Sequence, residues 1–284
     1  MKVSVCVRRV PDPEAQFHLD GTQVNLEGIA WMLDPVDASA VEAGAQVADQ
    51  HGGEVTVIAV GGDEEDETLR DCLARGATHA VRVDRPTPAN CLEAGVALAE
   101  ALAGGEQPDL VICGASSSDY RGGATGAVIA SRLQLPVVQN VIAIDAVDDG
   151  SATVQRRRDG GFREVVRVSL PAVLTVDVLV AEPRFPTTQA RLRARRAEIA
   201  VLSPAGGDPG RETQTMLGYQ TPPPSRHGIA QPDLEADART RLRFLLKGGD
   251  VRSTAGASVA TGSADELAET IAAFLRERGF IGSV

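Results

Sequence analysis

Apolar and polar positions alternate in blocks along the first 113 residues, and the length and period of each block set the element it predicts. Runs that are apolar nearly throughout cover residues 3–10, 54–60, 80–83 and 110–113. Between them, residues 38–50, 66–75 and 91–102 carry the three-to-four-residue apolar spacing of a helix with one buried face. Near-continuous apolar strands separated by amphipathic helices predict a parallel sheet covered on both faces, with right-handed crossovers. Ligands of such sheets sit at the carboxyl ends of the strands. Here those ends are the loops after Val10, Val60 and Cys113.

Beyond a further helical pattern over 127–133 the rhythm changes. Residues 138–147, 152–158 and 162–169 read as short strands separated by Asp148-Asp149-Gly150 and Asp159-Gly160-Gly161, turn residues that tolerate positive φ. They predict a small antiparallel meander, and residues 172–176 a strand that returns to the sheet. Residues 1–202 thus form one α/β domain with a doubly wound, mostly parallel sheet. Residues 203–233 hold Gly206-Gly207, Pro209, Pro222-Pro223-Pro224 and Pro232 with few apolar anchors, the composition of an extended linker. Helical periodicity returns over 234–247 and 264–278, giving a helical C-terminal arm over 234–284. Ser263 with Glu266 forms a capping-box signature, and Gly279 stands where a C-terminal cap falls. Such an arm either docks on its own domain or reaches a partner.

The loop of residues 114–126, Gly-Ala-Ser-Ser-Ser-Asp-Tyr-Arg-Gly-Gly-Ala-Thr-Gly, joins a predicted strand to a predicted helix. Unpaired N–H groups and the positive end of a helix dipole suit a phosphate at such a place. The loop lacks the Gly-Lys-Ser/Thr ending of a P-loop and the Gly-x-Gly-x-x-Gly dinucleotide fingerprint. An ordinary strand-to-helix turn has similar composition and stands beside the phosphate reading.

Composition narrows the function classes. A formal charge of −11 disfavours nonspecific contact with nucleic acid or an anionic membrane. No stretch approaches the roughly 20 apolar residues that span a bilayer, and the first residues read as a strand rather than a signal peptide. A cytoplasmic protein without membrane insertion is expected. Cys6, Cys72, Cys91 and Cys113 form no Cys-x-x-Cys pair, and His18, His51, His79 and His227 are scattered, so spacing argues for neither a disulfide framework nor a metal site. The acidic run of residues 63–67 is most simply a first helical turn whose carboxylates complement the helix dipole.

Five segments, taken in order, resemble the beta subunit of electron-transfer flavoproteins. They are Val7-Arg-Arg-Val-Pro-Asp12, Asp34-Pro-Val-Asp37 with Ala40-Val-Glu42, Glu67-Thr-Leu-Arg70 with Gly76-Ala77, the loop Gly114 to Gly126, and Glu182-Pro-Arg184. The resemblance covers about the first 200 residues. It implies an adenine-nucleotide-binding α/β fold paired with a larger alpha subunit that carries FAD. AMP occupies the beta site of conventional members and a second FAD that of electron-bifurcating ones. The implied role is a relay of electrons between a flavin dehydrogenase and a quinone reductase or other acceptor, with no substrate chemistry by this chain alone.

Carried over residue by residue, the resemblance puts Cys6 at the pocket floor, Gly61 and Gly62 at one edge, and Gly114 and Ser116 at the start of the phosphate loop. Asp34 stands where the family usually has Asn before Pro. A carboxylate only accepts, so Asp34 meets a ribose hydroxyl or an adenine amine, or it serves as a helix N-cap. Asp119, Thr125 and Gly126 match the family's loop, whereas Tyr120, Arg121 and Ala124 depart from it. Gly122, Gly123 and Gly126 preserve close backbone approach. Arg121 reads either as an added phosphate contact that favours a diphosphate or as a solvated surface residue.

Residues 187–196 correspond to the family's partner-recognition loop and basic helix, with Thr188 in place of an anchoring leucine. Thr188, Arg191, Arg193 and Arg195 are therefore candidates for docking, and Arg196 extends the basic cluster. A solvated helix face is the competing reading. Pro13 stands where an aromatic often approaches the alpha-subunit flavin. Two other classes share parts of the pattern: an adenine-nucleotide sensor of the universal-stress type, which lacks the Glu182-Pro-Arg184 segment, and an ATP-cleaving enzyme, which carries Ser-Gly-Gly after the first strand.

Overall fold

The fold is that of a computed structural model, which describes residues 1–148, 150–203, 218–219, 237–239, 241 and 262–277. The chain divides into two compact units, Met1–Gln220 and Thr221–Val284.

In the first unit, the strands that read as apolar runs line up side by side. Strand β1 (Lys2–Cys6) is followed by three-residue strands β2 (Arg9–Pro11), β3 (His18–Asp20), β4 (Gln23–Asn25) and β5 (Trp31–Leu33), then helix α1 (Pro35–His51). Next come β6 (Glu54–Gly61), α2 (Glu65–Ala74), β7 (His79–Asp84), α3 (Cys91–Gly104), β8 (Leu110–Gly114) and α4 (Thr125–Leu133). The meander is β9 (Val137–Asp148), β10 (Ser151–Arg157) and β11 (Arg163–Ser169), and β12 (Ala172–Val176), α5 (Thr188–Arg196) and β13 (Ala200–Leu202) complete the unit.

Among the described residues nine strands form one sheet in the order β11-β10-β9-β12-β8-β1-β6-β7-β13. Neighbours from β9 to β13 are parallel, and β10 runs antiparallel to both β9 and β11. The doubly wound α/β fold and its meander are therefore present. Period-two alternation sorts the side chains of a central strand to opposite faces. Leu110 and Ile112 of β8 join one cluster with Val5, Val57 and Val41, whereas Val111 and Cys113 join another with Ile58, Leu98 and Ile129. Helices α1 and α2 cover the first face, and α3 and α4 the second.

Two boundaries differ from the sequence expectation. The apolar run 3–10 breaks after Cys6, because Val10 leaves the main sheet and β2 pairs antiparallel with β5. The break is built from hydrogen bonds: Asp34 N donates to Arg8 O, and Arg8 N donates to Asp37. Helix α1 starts earlier than periodicity suggested, with Asp34 as N-cap and Pro35 in the first turn, where a missing N–H costs nothing. The β3–β4 hairpin turns through Gly21 at φ 63°.

The second unit contributes α6 (Ala264–Glu277), whose capping box is formed: Ser263 N and Oγ donate to Glu266 Oε2 at 2.8 and 3.0 Å, and Glu266 N donates to Ser263 Oγ at 3.4 Å. Most of the linker expected at 203–233, most of the helix expected at 234–247, and Gly279 lie outside the described residues. No helix among the described residues is long and apolar enough to cross a membrane.

Candidate functional site

The site lies where β1 ends between β8 and β6. A cleft opens there, floored by Cys6 and walled by the loops after β1, β6 and β8. Arg8 and Arg9 enter it from the β1 loop, Val60 and Glu65 from the β6 side, and Gly114, Ser116, Gly122, Gly123 and Thr125 from the β8 side.

Two buried carboxylates set the shape of the β8 loop. Asp34 is fully buried; its Oδ1 accepts from Val36 N at 3.0 Å, and its Oδ2 accepts from Ser118 N at 2.7 Å and Ser118 Oγ at 2.9 Å. Asp37, one turn on, accepts from Arg8 N at 2.8 Å and from Gly114 N at 3.1 Å. It ties the end of β1 to the end of β8. Burial pushes its carboxyl well above the usual range, and the neighbouring Asp34 charge adds to that. Asp119 in turn holds Arg8, whose Nε and Nη2 donate to Oδ2 at 3.0 and 2.7 Å, and the Arg8 guanidinium lies 5.2 Å from the Tyr120 ring centre.

Glycine is required where the loop meets its neighbours. A Cβ on Gly122 would stand 2.9 Å from Cys91 Sγ, and one on Gly114 would stand 2.6 Å from Asp37 Oδ1. Gly126, in the first turn of α4, is packed against Thr175 Cγ2 and Cys113 Sγ, so nothing larger fits. Gly123 takes φ 66°. Helix α4 begins at this loop with Ala124 as N-cap and no side-chain cap. Its first-turn N–H groups and dipole end have no side-chain cap and could hold an anion, which the bare glycines would let approach the backbone.

The structure thus brings Cys6, Gly114, Ser116, Gly122, Gly123 and Thr125 to one cleft, with Gly126 buried beneath it. Asp34 and Asp119 brace the walls from within. Gly61 and Gly62 stand behind acidic side chains, since Cβ atoms there would meet Glu65 Cγ and Glu64 Oε2, each at 2.5 Å. Arg121 and Ala124 are not among the lining residues; Arg121 adopts φ 50° and is exposed.

Three residues of the cleft were not singled out from the sequence. Arg8 and Asp37 stood inside quoted motifs without a role. Glu65 was absorbed into the acidic run, which periodicity places on a helix start but which does not show that Glu65 alone is buried. Glu65 is 4% exposed, its Oε2 is buried with no hydrogen-bond partner, and burial raises its carboxyl to about 7 despite the opposing charges of Arg9 and Arg8.

A second feature is the basic helix α5. Thr187 caps it by accepting from Ala190 N at 3.1 Å, and Thr188, Arg191, Arg193 and Arg195 are all exposed. Arg70 closes its other end, donating through Nη1 to the carbonyls of Ala194, Arg195 and Ala197 at 2.8, 3.1 and 2.9 Å. Ahead of it, Arg184 pairs with Glu42 through Nε at 2.6 Å and Nη2 at 3.0 Å. Phe185 between these anchors is 92% exposed, and Leu192 on the helix is 52% exposed. The reading of Thr188 alone missed both apolar side chains.

Comparison with known proteins identifies the family. A family model described as the electron transfer flavoprotein domain matches residues 22–206. The electron transfer flavoprotein subunit beta of Syntrophomonas wolfei is 32% identical over 248 residues, which is 87% of this chain and 96% of that protein. The subunit of the same name from Mycobacterium bovis is 33% identical over 210 residues, 71% of this chain and 78% of its own length. The caffeyl-CoA reductase-Etf complex subunit CarD of Acetobacterium woodii is 33% identical over 242 residues, covering 80% and 90%. With the sheet order, the loop and the Glu182-Pro-Arg184 segment all in place over this span, the chain belongs to the electron transfer flavoprotein family, as an electron-transfer subunit of the beta type.

Proposed function

We propose that the cleft holds an adenine nucleotide, AMP or FAD, and that the chain pairs with an FAD-carrying alpha subunit to relay electrons between a flavin dehydrogenase and a quinone reductase or other acceptor, in the cytoplasm. The observation that carries this reading is the uncapped start of α4 behind a glycine loop, at the carboxyl end of a central parallel strand. The chain presents no catalyst of its own in this role; a flavin supplies the redox chemistry. Its residues bind and orient: the α4 N–H groups take phosphate, Asp34 and Asp37 hold the loop in place, and Cys6 and Val7 supply an apolar floor.

The cleft continues into a groove that shares Arg8, Arg9 and Tyr120 and adds Phe17, Trp31 and Tyr219. Arg9 lies 4.7 Å from the Trp31 ring centre. A flat, extended ligand such as FAD gains stacking partners there that AMP does not reach. The exposed α5 arginines and Phe185 support docking to an acidic partner with an apolar pocket. The name of the Acetobacterium relative, a subunit of a complex, supports an assembled state for this chain too. The domain division that goes with this reading places the nucleotide-binding part in residues 1–202, followed by a linker and a helical arm.

The test is to co-express the chain with a candidate alpha subunit, purify the complex, release cofactors by heat, and count FAD and AMP per heterodimer. One FAD with one AMP, or two FAD, supports the reading and assigns the occupant. A complex with no nucleotide beyond the alpha-subunit FAD overturns the site, and a chain that binds AMP or ATP but pairs with no alpha subunit is a nucleotide sensor instead.

A further inference from the structure

We infer that Glu65 is the residue that recognises the nucleoside part of the bound nucleotide, its unpartnered carboxylate oxygen accepting a hydrogen bond from an N–H or O–H of the base or ribose. The inference rests on the nucleotide reading of the cleft and adds the residue that discriminates among nucleotides. Strand order supplies the direction. The anion cradle follows β8, and Glu65 follows β6, on the other side of β1. A ligand held by its phosphate at the cradle therefore runs across Cys6 and Val7 towards Glu65, so that what reaches Glu65 is the part farthest from the phosphate.

The chemistry at that end is incomplete in the protein alone. Glu65 is 4% exposed and its Oε2 has no partner, a costly state for a carboxyl in an apolar wall. The surroundings relieve it only in part: the charges of Arg9 and Arg8 and a hydrogen bond from the Arg9 backbone N–H oppose the effect of burial, yet the Arg8 guanidinium donates to Asp119, that of Arg9 lies over Trp31, and Oε2 keeps no partner. Helix dipole complementarity does not explain the burial either, because Asp66 and Glu67 already supply acidic groups in the first turn of α2. The backbone makes room for this side chain, since a Cβ on Gly61 would come within 2.5 Å of Glu65 Cγ and 3.1 Å of its Oε1. A buried acceptor placed in a ligand cleft and left without a donor is the arrangement that rejects ligands lacking that donor.

The experiment uses the full chain, freed of bound nucleotide, with four probes titrated by calorimetry: AMP, FAD, inosine monophosphate, in which an oxygen replaces the adenine amine, and 2′-deoxy-AMP. Wild type is compared with Glu65→Leu, Glu65→Gln and Gly61→Ala, and melting of the ligand-free chains is recorded alongside. Glu65→Leu should lose about tenfold or more in affinity for the nucleotide that wild type binds. It should also lose the discrimination that wild type shows against one of the two analogues, and that analogue identifies the donor. Ligand-free Glu65→Leu should melt at or above the wild-type temperature, which a purely structural glutamate would not allow. Glu65→Gln keeps an acceptor and should bind within a few-fold of wild type, whereas Gly61→Ala, which displaces Glu65, should weaken binding as Leu does. Unchanged affinity in both Glu65→Leu and Gly61→Ala, or discrimination that persists without Glu65, overturns the inference while leaving the nucleotide site intact. Failure of wild type to bind either AMP or FAD removes the nucleotide reading itself.

Discussion

Asp34 accepts two hydrogen bonds from Ser118 through a single carboxylate oxygen, 2.7 Å from the backbone nitrogen and 2.9 Å from the hydroxyl, while its other oxygen caps α1. One buried side chain thereby fixes both a helix start and the loop above the cleft. Replacing it with alanine should remove the cap and leave the Ser118 N–H unsatisfied, a loss of about 2–4 kcal/mol in a urea unfolding experiment. Asp34→Asn keeps one acceptor for the cap but turns the other position into a donor. It should therefore retain most of the stability while weakening AMP or FAD binding several-fold by calorimetry; equal binding by Asp34→Asn would separate the loop from the ligand.

The pH dependence of the ligand-free chain should carry the signature of Glu65. Burial raises its carboxyl from 4.5 to about 7, against the opposing effects of Arg9 and Arg8 and with Glu64 adding to the rise. A raised acid favours the folded state at low pH: the contribution is fully present below about 4.5 and is lost as pH climbs through about 7. The difference is on the order of 3 kcal/mol at most. Asp37 shifts in the same direction, so the informative quantity is wild type minus Glu65→Gln, measured by urea unfolding at pH 5.5 and pH 8. A flat difference would show that Glu65 does not titrate in this range.

Gly126 should tolerate no side chain. Its added Cβ would overlap Thr175 Cγ2 of β12 and come within 2.8 Å of Cys113 Sγ of β8, two strands that are themselves paired. Gly126→Ala should destabilise the chain by about 1–3 kcal/mol and displace the first turn of α4. Gly123→Ala, at φ 66°, should cost about 1–2 kcal/mol from backbone strain alone. Thermal melts of the two variants, compared with their AMP titrations, would show whether the first also lowers affinity through the moved N–H groups.

Docking through α5 should respond differently to charge and to apolar area. Reversing Arg191, Arg193 and Arg195 to glutamate should slow association with a flavin dehydrogenase partner and flatten its salt dependence, with little change in melting temperature. Phe185→Ala should instead speed dissociation, because a ring that is 92% exposed contributes only when a partner covers it. Thr188→Leu should tighten the complex, as a buried leucine contributes about 1.5–3 kcal/mol. Stopped-flow or biolayer measurements with a purified partner distinguish the three.

The main sheet was legible because its strands, buried on both faces, read as apolar runs, and because the Asp-Gly turns of the meander demand positive φ at Gly150 and Gly160, which both show. The three-residue strands β2 to β5 were not, since pairs that short carry no periodicity and are held by contacts distant in sequence. Strand β13 escaped for the same reason, since the chain reaches its place beside β7 through α5, which packs on α2. In the cleft, the loop glycines were readable from their position after a strand, and Cys6 came from the family resemblance. The inward turn of Asp34, the Asp37 link between β1 and β8 and the burial of Glu65 were not, because each is decided by which neighbour lies across the fold rather than by the local pattern.

Helix α5 is pinned before it starts by the Arg184–Glu42 pair, at its end by the three carbonyls that Arg70 gathers, and just beyond by β13 in the sheet. A protein that settles on this helix meets a surface already shaped, and spends little of its interaction energy on ordering backbone. Encounter rates are then set by diffusion and charge rather than by a folding event. Such a contact can form and break quickly, as the proposed relay between two partners requires.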